Sequence, residues 1–159
     1  MKKEDIDAII VHCSATREGK YYDRRDIDMM HRQRGFKEIG YNFVVLLDGT
    51  IQQGRSLRYP GAHCNSKGFS KKSYNRHSIG ICYIGGLDEN GKAKDTRTPE
   101  QKKALKLLIN SLVLEYPIKE ILGHRDTSPD LNGNGIVEPC EWAKQCPCFN
   151  AKDEYKELL

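Results

Sequence analysis

An α/β fold, with a central mixed β-sheet flanked by helices, is predicted by three observations. Ile6 to Cys13, Tyr41 to Leu47 and Ile79 to Ile84 are apolar runs of strand length. The stretch after Thr98 carries a full set of helix-start signals and an apolar face of helical period. Strand and helix signals also alternate along the chain, as they do where helices cover a sheet. With 159 residues, 38% hydrophobic and 30% charged, the chain can build one domain, 1–159, around a real core.

The first run, IDAIIVHC, reads as a central strand buried on both faces. It ends in His12 and Cys13, which alternation sends to opposite faces, so the two are not expected to serve one site. A polar loop, Ser14 to Tyr22, follows. Asp23 can cap a helix through Ile27, Met30 and His31 to about Arg34, with Gly35 as its stop. The second strand, YNFVVLL, leads into Asp48-Gly49, which predicts a type I′ hairpin returning over Thr50 to Gln53. Arg55 to Ser78 has no usable period and reads as a long functional loop holding His63 and His77.

The third strand is ended by Gly85-Gly86. Thr98 as cap, Pro99 at the first position and Gln101 three residues after the cap then start a helix. Leu105, Leu108, Ile109, Leu112, Val113 and Tyr116 line one face, and Pro117 ends it. Glu120 to His124 is a short strand, and Asp153 to Leu159 a terminal helix.

Bulk properties exclude several classes. A net charge of +4 with scattered Lys and Arg does not indicate nucleic acid. No run reaches the length of a membrane span, and no leader pattern precedes the first strand, so synthesis in the cytoplasm is expected. The six cysteines contain no CxxC pair and read mostly as reduced thiols. Cys140, Cys146 and Cys148 differ, because their polar, Pro-containing surroundings are poor core material.

Chemistry concentrates between His124 and Cys146. His12 and His124 both stand at the ends of apolar strands, where ligand sites of α/β sheets collect. With Cys146 they would make a three-ligand zinc site that leaves a fourth position for water. A closed structural site of His124, Cys140, Cys146 and Cys148 is the rival, and a disulfide from Cys140 to Cys146 or Cys148 is a third reading. Asp130 to Glu141 fits the calcium-loop pattern, with Asp130, Asn132, Asn134, the Ile136 carbonyl and Glu141 as ligand positions and Gly135 at the sharp turn. No helix signal precedes that loop, and the competing reading is an Asn/Gly turn capped by its own side chains. Taken alone, Tyr41 is an edge aromatic and Lys144 a solvated lysine.

Eight segments occur together in one order: IIVHCSAT, DIDMMHRQRG, GYNFVVLLDGTIQQGR, GAH, SIGICYIGG, TPEQKKAL, GHRD and KQCPCF. In this the chain, from about Ile6 to Phe149, resembles the zinc-dependent N-acetylmuramoyl-L-alanine amidases of the type 2 family. These share their fold with peptidoglycan recognition proteins and phage lysozyme-like amidases. The resemblance implies that His12, His124 and Cys146 bind zinc and that His63 lines the substrate groove. It also implies that the Lys144 ammonium stabilises the oxyanion formed when activated water attacks the lactyl carbonyl. Tyr41 would orient that water or relay its proton to the departing L-alanine amine. Peptidoglycan or a muropeptide is the implied substrate, a monomer the implied state, and a non-catalytic muropeptide-binding module the alternative. Three departures stand out: Cys82 where some branches carry a glutamate base, Cys148 where relatives often have a small residue, and an insertion at about 127–143.

Overall fold

The computed structural model describes residues 1–159. Its main sheet contains β1 (Ala8–Cys13), β3 (Phe43–Val45), β4 (Ile51–Gln53), β5 (Ser78–Tyr83) and β7 (Glu120–Gly123). The spatial order is β4-β3-β5-β1-β7, with every pairing parallel except the β3–β4 hairpin. A separate parallel pair joins β2 (Thr16–Arg17) to β6 (Gly86–Leu87). The helices are α1 (Arg24–Gln33), α2 (Pro99–Glu115) and α3 (Ala151–Tyr155).

Strand alternation sorts the side chains into two layers. Ile9, Val11 and Cys13 of β1, with Ile79, Ile81 and Tyr83 of β5, pack against Leu105, Ile109 and Leu112 of α2 and Tyr155 of α3. Each such fully buried isoleucine contributes roughly 1.5–3 kcal/mol of transfer free energy. On the opposite face Ala8 and Ile10 pack with Cys64, Tyr74 and Leu122, while Val44, Leu46 and Ile84 pack with Ile27 of α1 and Ile39. His12 follows Ala8 and Ile10 on this second face, and that places its ring under the segment 55–77.

The helix boundaries follow their chemistry. Asp23 accepts hydrogen bonds from the N–H groups of Arg25 and Asp26, and the Asp26 carboxylate accepts the Asp23 N–H in return. Thr98 and Gln101 form the same reciprocal pair at α2. The buried Gln101 amide also donates to the Val45 and Ile84 carbonyls, fastening α2 to the ends of β3 and β5. The terminal helix starts two residues earlier than expected, at Ala151, and ends in a 3-10 turn over Lys156–Leu158.

The hairpin differs from the expected two-residue type I′ turn. Leu46 N–H donates to the Thr50 carbonyl and Gly49 N–H to the Leu46 carbonyl, so three residues, 47–49, make the connection. Type I′ needs positive φ at both central residues, yet only Gly49 (φ +86°) has it. Asp48 instead keeps ordinary backbone and accepts the Thr50 N–H at 2.9 Å. The segment expected as a loop over Arg55 to Ser78 is irregular up to a 3-10 turn at Tyr74–Arg76, with Ser78 already in β5, and it is anchored at its end by His77, which contacts Asp7 at 2.7 Å and Ser70 at 3.1 Å.

Candidate metal centre

Three chain segments bring His12, His124 and Cys146 together. His12 is the penultimate residue of β1. His124 begins a 3-10 turn directly after β7, and β7 pairs with β1 so that Val11 faces Gly123. Cys146 is held from both sides: Arg125 N–H donates to its carbonyl at 2.7 Å and Cys13 N–H to its sulfur at 3.3 Å. Just beyond it, the Tyr83 hydroxyl donates to the Pro147 carbonyl at 2.7 Å. The potential ligand atoms of the three residues lie within 4.8 Å of one another. Theirs is the one group of three or more His, Cys, Asp or Glu side chains close enough to share an ion.

Two imidazole nitrogens and one thiol sulfur suit zinc, and three protein ligands leave a coordination position open. The closed alternative does not assemble: Cys140 is exposed, and the Cys148 sulfur turns to the Gly86 carbonyl at 3.4 Å. His12 Nδ1 faces the Cys146 sulfur at 3.9 Å, and the His12 and His124 ring centroids are 4.7 Å apart.

The site opens into a cleft of about 520 Å³ that Tyr41, His63, His124, Lys144 and Cys146 all line. The Tyr41 ring lies 5.0 Å from that of His12, and Lys144 is exposed at the rim. Desolvation pushes the Tyr41 phenol well above its usual pKa, aided by the nearby thiols of Cys82, Cys146 and Cys13, so it stays protonated. Burial, then the neighbouring His124, His63 and Lys144 charges, holds His12 well below the normal imidazole range. His63 falls to about 3, again chiefly by burial.

His63 lines the cleft as expected, but it is not free to meet a ligand with its whole ring. It is 8% exposed, and its Nδ1 sits 2.9 Å from His12 Nε2. Cys13 also departs from expectation. Its side chain does join the opposite core, yet its backbone N–H serves the site; a reading of side-chain faces overlooks main-chain donors. Hydrogen bonding to Cys146 and burial push the Cys13 thiol up to about 12.

His31 near the end of α1, with Arg34 and Phe36 just beyond that helix, also lines the cleft, a role the sequence does not assign to any of the three. His31 Nδ1 accepts the Gly40 N–H at 2.9 Å, and its ring packs 5.2 Å from Tyr41 and 4.8 Å from Phe36. A histidine at the end of a helix just before a glycine stop was the available signal. Cys82, where some branches carry a glutamate, lies opposite His12 in the β1–β5 register and is fully buried.

The calcium-loop expectation gains no support. Asp130 accepts the N–H groups of Gly133 and Gly135, while Asn132 and Asn134 accept those of Asn134 and Ile136. The Asn132 and Asn134 amides donate to Glu138. Glu141 accepts from Leu131, Asn132 and Glu138, and these backbone bonds, led by that from Glu138, hold its carboxyl below the usual range. The carboxylates of Asp130, Glu138 and Glu141 form no second metal-sized group. Thus the insertion closes on itself, with Ala143 N–H donating to Ser128 at 3.0 Å and the Arg125 guanidinium stacked 3.8 Å over Trp142.

Comparison with known proteins agrees with this arrangement. The endolysin of Escherichia phage T7 is 33% identical over 151 residues, covering 95% of this chain and 86% of the relative. That of Enterobacteria phage T3 is 34% identical over 146 residues, covering 92% and 83%. Among solved structures, N-acetylmuramoyl-L-alanine amidase LysC from Clostridium intestinale superposes with a TM-score of 0.70 at 26% identity, covering 98% and 87%. Drosophila PGRP-LB superposes with a TM-score of 0.66 at 27% identity, covering 95% and 79%. Residues 2–148 match the N-acetylmuramoyl-L-alanine amidase family, and the chain belongs to that family.

Proposed function

We propose that this chain is a zinc-dependent N-acetylmuramoyl-L-alanine amidase that cleaves the bond between N-acetylmuramic acid and L-alanine in peptidoglycan. The observation that carries the reading is the convergence of the buried His12 with His124 and Cys146, two residues that line a cleft together with Tyr41 and Lys144. Zinc held by those three residues would supply a Lewis acid and a water activated near neutral pH. Lys144 adds a mobile ammonium that stabilises negative charge developing on the carbonyl oxygen. Tyr41 keeps its proton through burial, so its hydroxyl can hold the attacking water in place and, taking up the proton that this water loses as it gives up its own, relay it to the departing amine. Cys82, with a thiol pushed well above its usual pKa by burial, is no substitute for a carboxylate base.

The cleft lining contains two permanent cations, Arg34 and Lys144, and no carboxylate. That balance favours an anionic substrate such as a peptide stem bearing free carboxylates. In this reading the chain is one domain, residues 1–159 with the insertion at 127–143, acting as a monomer. The substrate places the site of action in the cell wall, reached by release or export; no helix is long and apolar enough to cross a membrane.

A binding module is the second reading, favoured by the likeness to a solved complex of peptidoglycan recognition proteins LCa and LCx with tracheal cytotoxin (TM-score 0.67, 25% identity). Product analysis on purified sacculi and on soluble muropeptides separates the two. Zinc-loaded protein should release stems with new L-alanine amino termini, and chelation should stop release. Binding without cleavage by the zinc-loaded protein would establish the module instead.

A further inference from the structure

We infer that His63 is a positioning residue, fixing His12 in the one tautomer that leaves Nδ1 free for a metal. The inference rests on the metal reading above. A neutral imidazole carries a single ring proton, and a ligating nitrogen must present its lone pair. His12 Nδ1 faces Cys146, so the His12 proton belongs on Nε2, 2.9 Å from His63 Nδ1. His63 Nδ1 must then accept, which puts the His63 proton on its own Nε2. With the roles reversed, His63 would donate, and His12 would aim an N–H at the sulfur where the metal has to sit.

The structure commits His63 to this contact. Its ring has no other side-chain hydrogen bond, and its Nε2 is buried without a partner at hydrogen-bond length. Two glycines make room for the ring: a Cβ at Gly80 would come within 2.5 Å of it, and one at Gly61 within 2.6 Å. The main chain is pinned as well, since Asn75 Oδ1 accepts the N–H groups of both His63 and Cys64, at 2.9 and 2.8 Å. A ring clamped this way and used once is built to orient a neighbour. Partners of this kind, which orient a ligating histidine, typically change metal affinity by about 10–100-fold.

The test compares His63→Asn, whose Oδ1 stands near the position of Nδ1 and still accepts, with His63→Leu, which cannot. Zinc affinity is measured by competition with a chromophoric chelator, and metal-free melting temperatures are recorded beside it. His63→Leu should weaken zinc by roughly 10–100-fold, while His63→Asn recovers most of the loss at a similar melting temperature. Equal losses in the two variants, or none in His63→Leu, would overturn the assignment. Nitrogen NMR of the native metal-free protein gives a check that needs no variant. His12 should be protonated at Nε2, and a proton on Nδ1 would overturn the idea. Native protein that takes up no zinc would instead overturn the metal reading itself, before any variant is compared.

Discussion

Which thiol serves the metal turns on a separation of two residues. Cys146 receives the Cys13 N–H and joins the two histidines, whereas Cys148 spends its sulfur on the Gly86 carbonyl. Cys146→Ser should therefore lose both zinc and activity, and Cys148→Ser should keep most of both, as read from zinc per chain and product release. The opposite pattern would exchange the two roles. Lys144 tests a different contribution, because it is exposed and holds no ligand position. Lys144→Met should lower kcat by about 10²–10³-fold, the scale of one lost oxyanion donor, with zinc content unchanged. A loss of zinc in that variant would mean that the lysine supports the metal site rather than the reaction.

Elements fold where local signals and tertiary contacts agree. Helix α2 was readable to the residue at its start, because Thr98, Pro99 and Gln101 satisfy the orphan N–H groups locally. Thr98→Ala removes that cap and also the bond from Thr98 to the Leu47 carbonyl, so a loss of about 1–2 kcal/mol is expected in denaturant unfolding. The β3–β4 turn departs from the type I′ form that Asp48-Gly49 predicts because one glycine, not two permissive residues, takes the left-handed backbone there. In the insertion the calcium pattern and a self-capped turn share one sequence, and the hydrogen bonds of Asp130 to Glu141 favour the turn. Adding calcium should thus leave the melting temperature unchanged. A rise that Asp130→Ala abolishes would restore calcium as a ligand.

Across the whole molecule, the site carries an acid liability. Burial, as the largest cause, lowers the pKa values of His12, His31 and His63. All three would titrate near 6.5 in the unfolded chain. Below that pH the unfolded state binds protons that the folded state resists, so stability is complete above about 6.5 and declines as pH falls. Each histidine adds a slope of up to about 1.4 kcal/mol per pH unit until its folded value is reached. For His63 that value is about 3. The melting temperature of the metal-free protein should drop steadily from pH 6.5 to 4.5, ahead of carboxylate titration. A flat profile over that window would show that these rings are solvated.

The amino-acid sequence by itself determined the strands of the main sheet, though not the short pair β2–β6 or the limits of β3, together with the capped helices and the family, because apolar period and cap chemistry act over a few residues and short motifs keep their order. It also named the three residues that converge. What it left open by spacing alone was whether His124 and Cys146 would close on Cys140 and Cys148 or reach across to His12. The tertiary structure decided that through the parallel β1–β7 register, which sets His12 beside His124, and through the Arg125 and Cys13 N–H groups that hold Cys146. The same packing sets His63, which lines the cleft, against His12 as well, since the room for its ring is made by Gly80 on β5. Contacts between residues 51 to 134 positions apart are set by sheet order and close packing, and no local pattern along the chain encodes them.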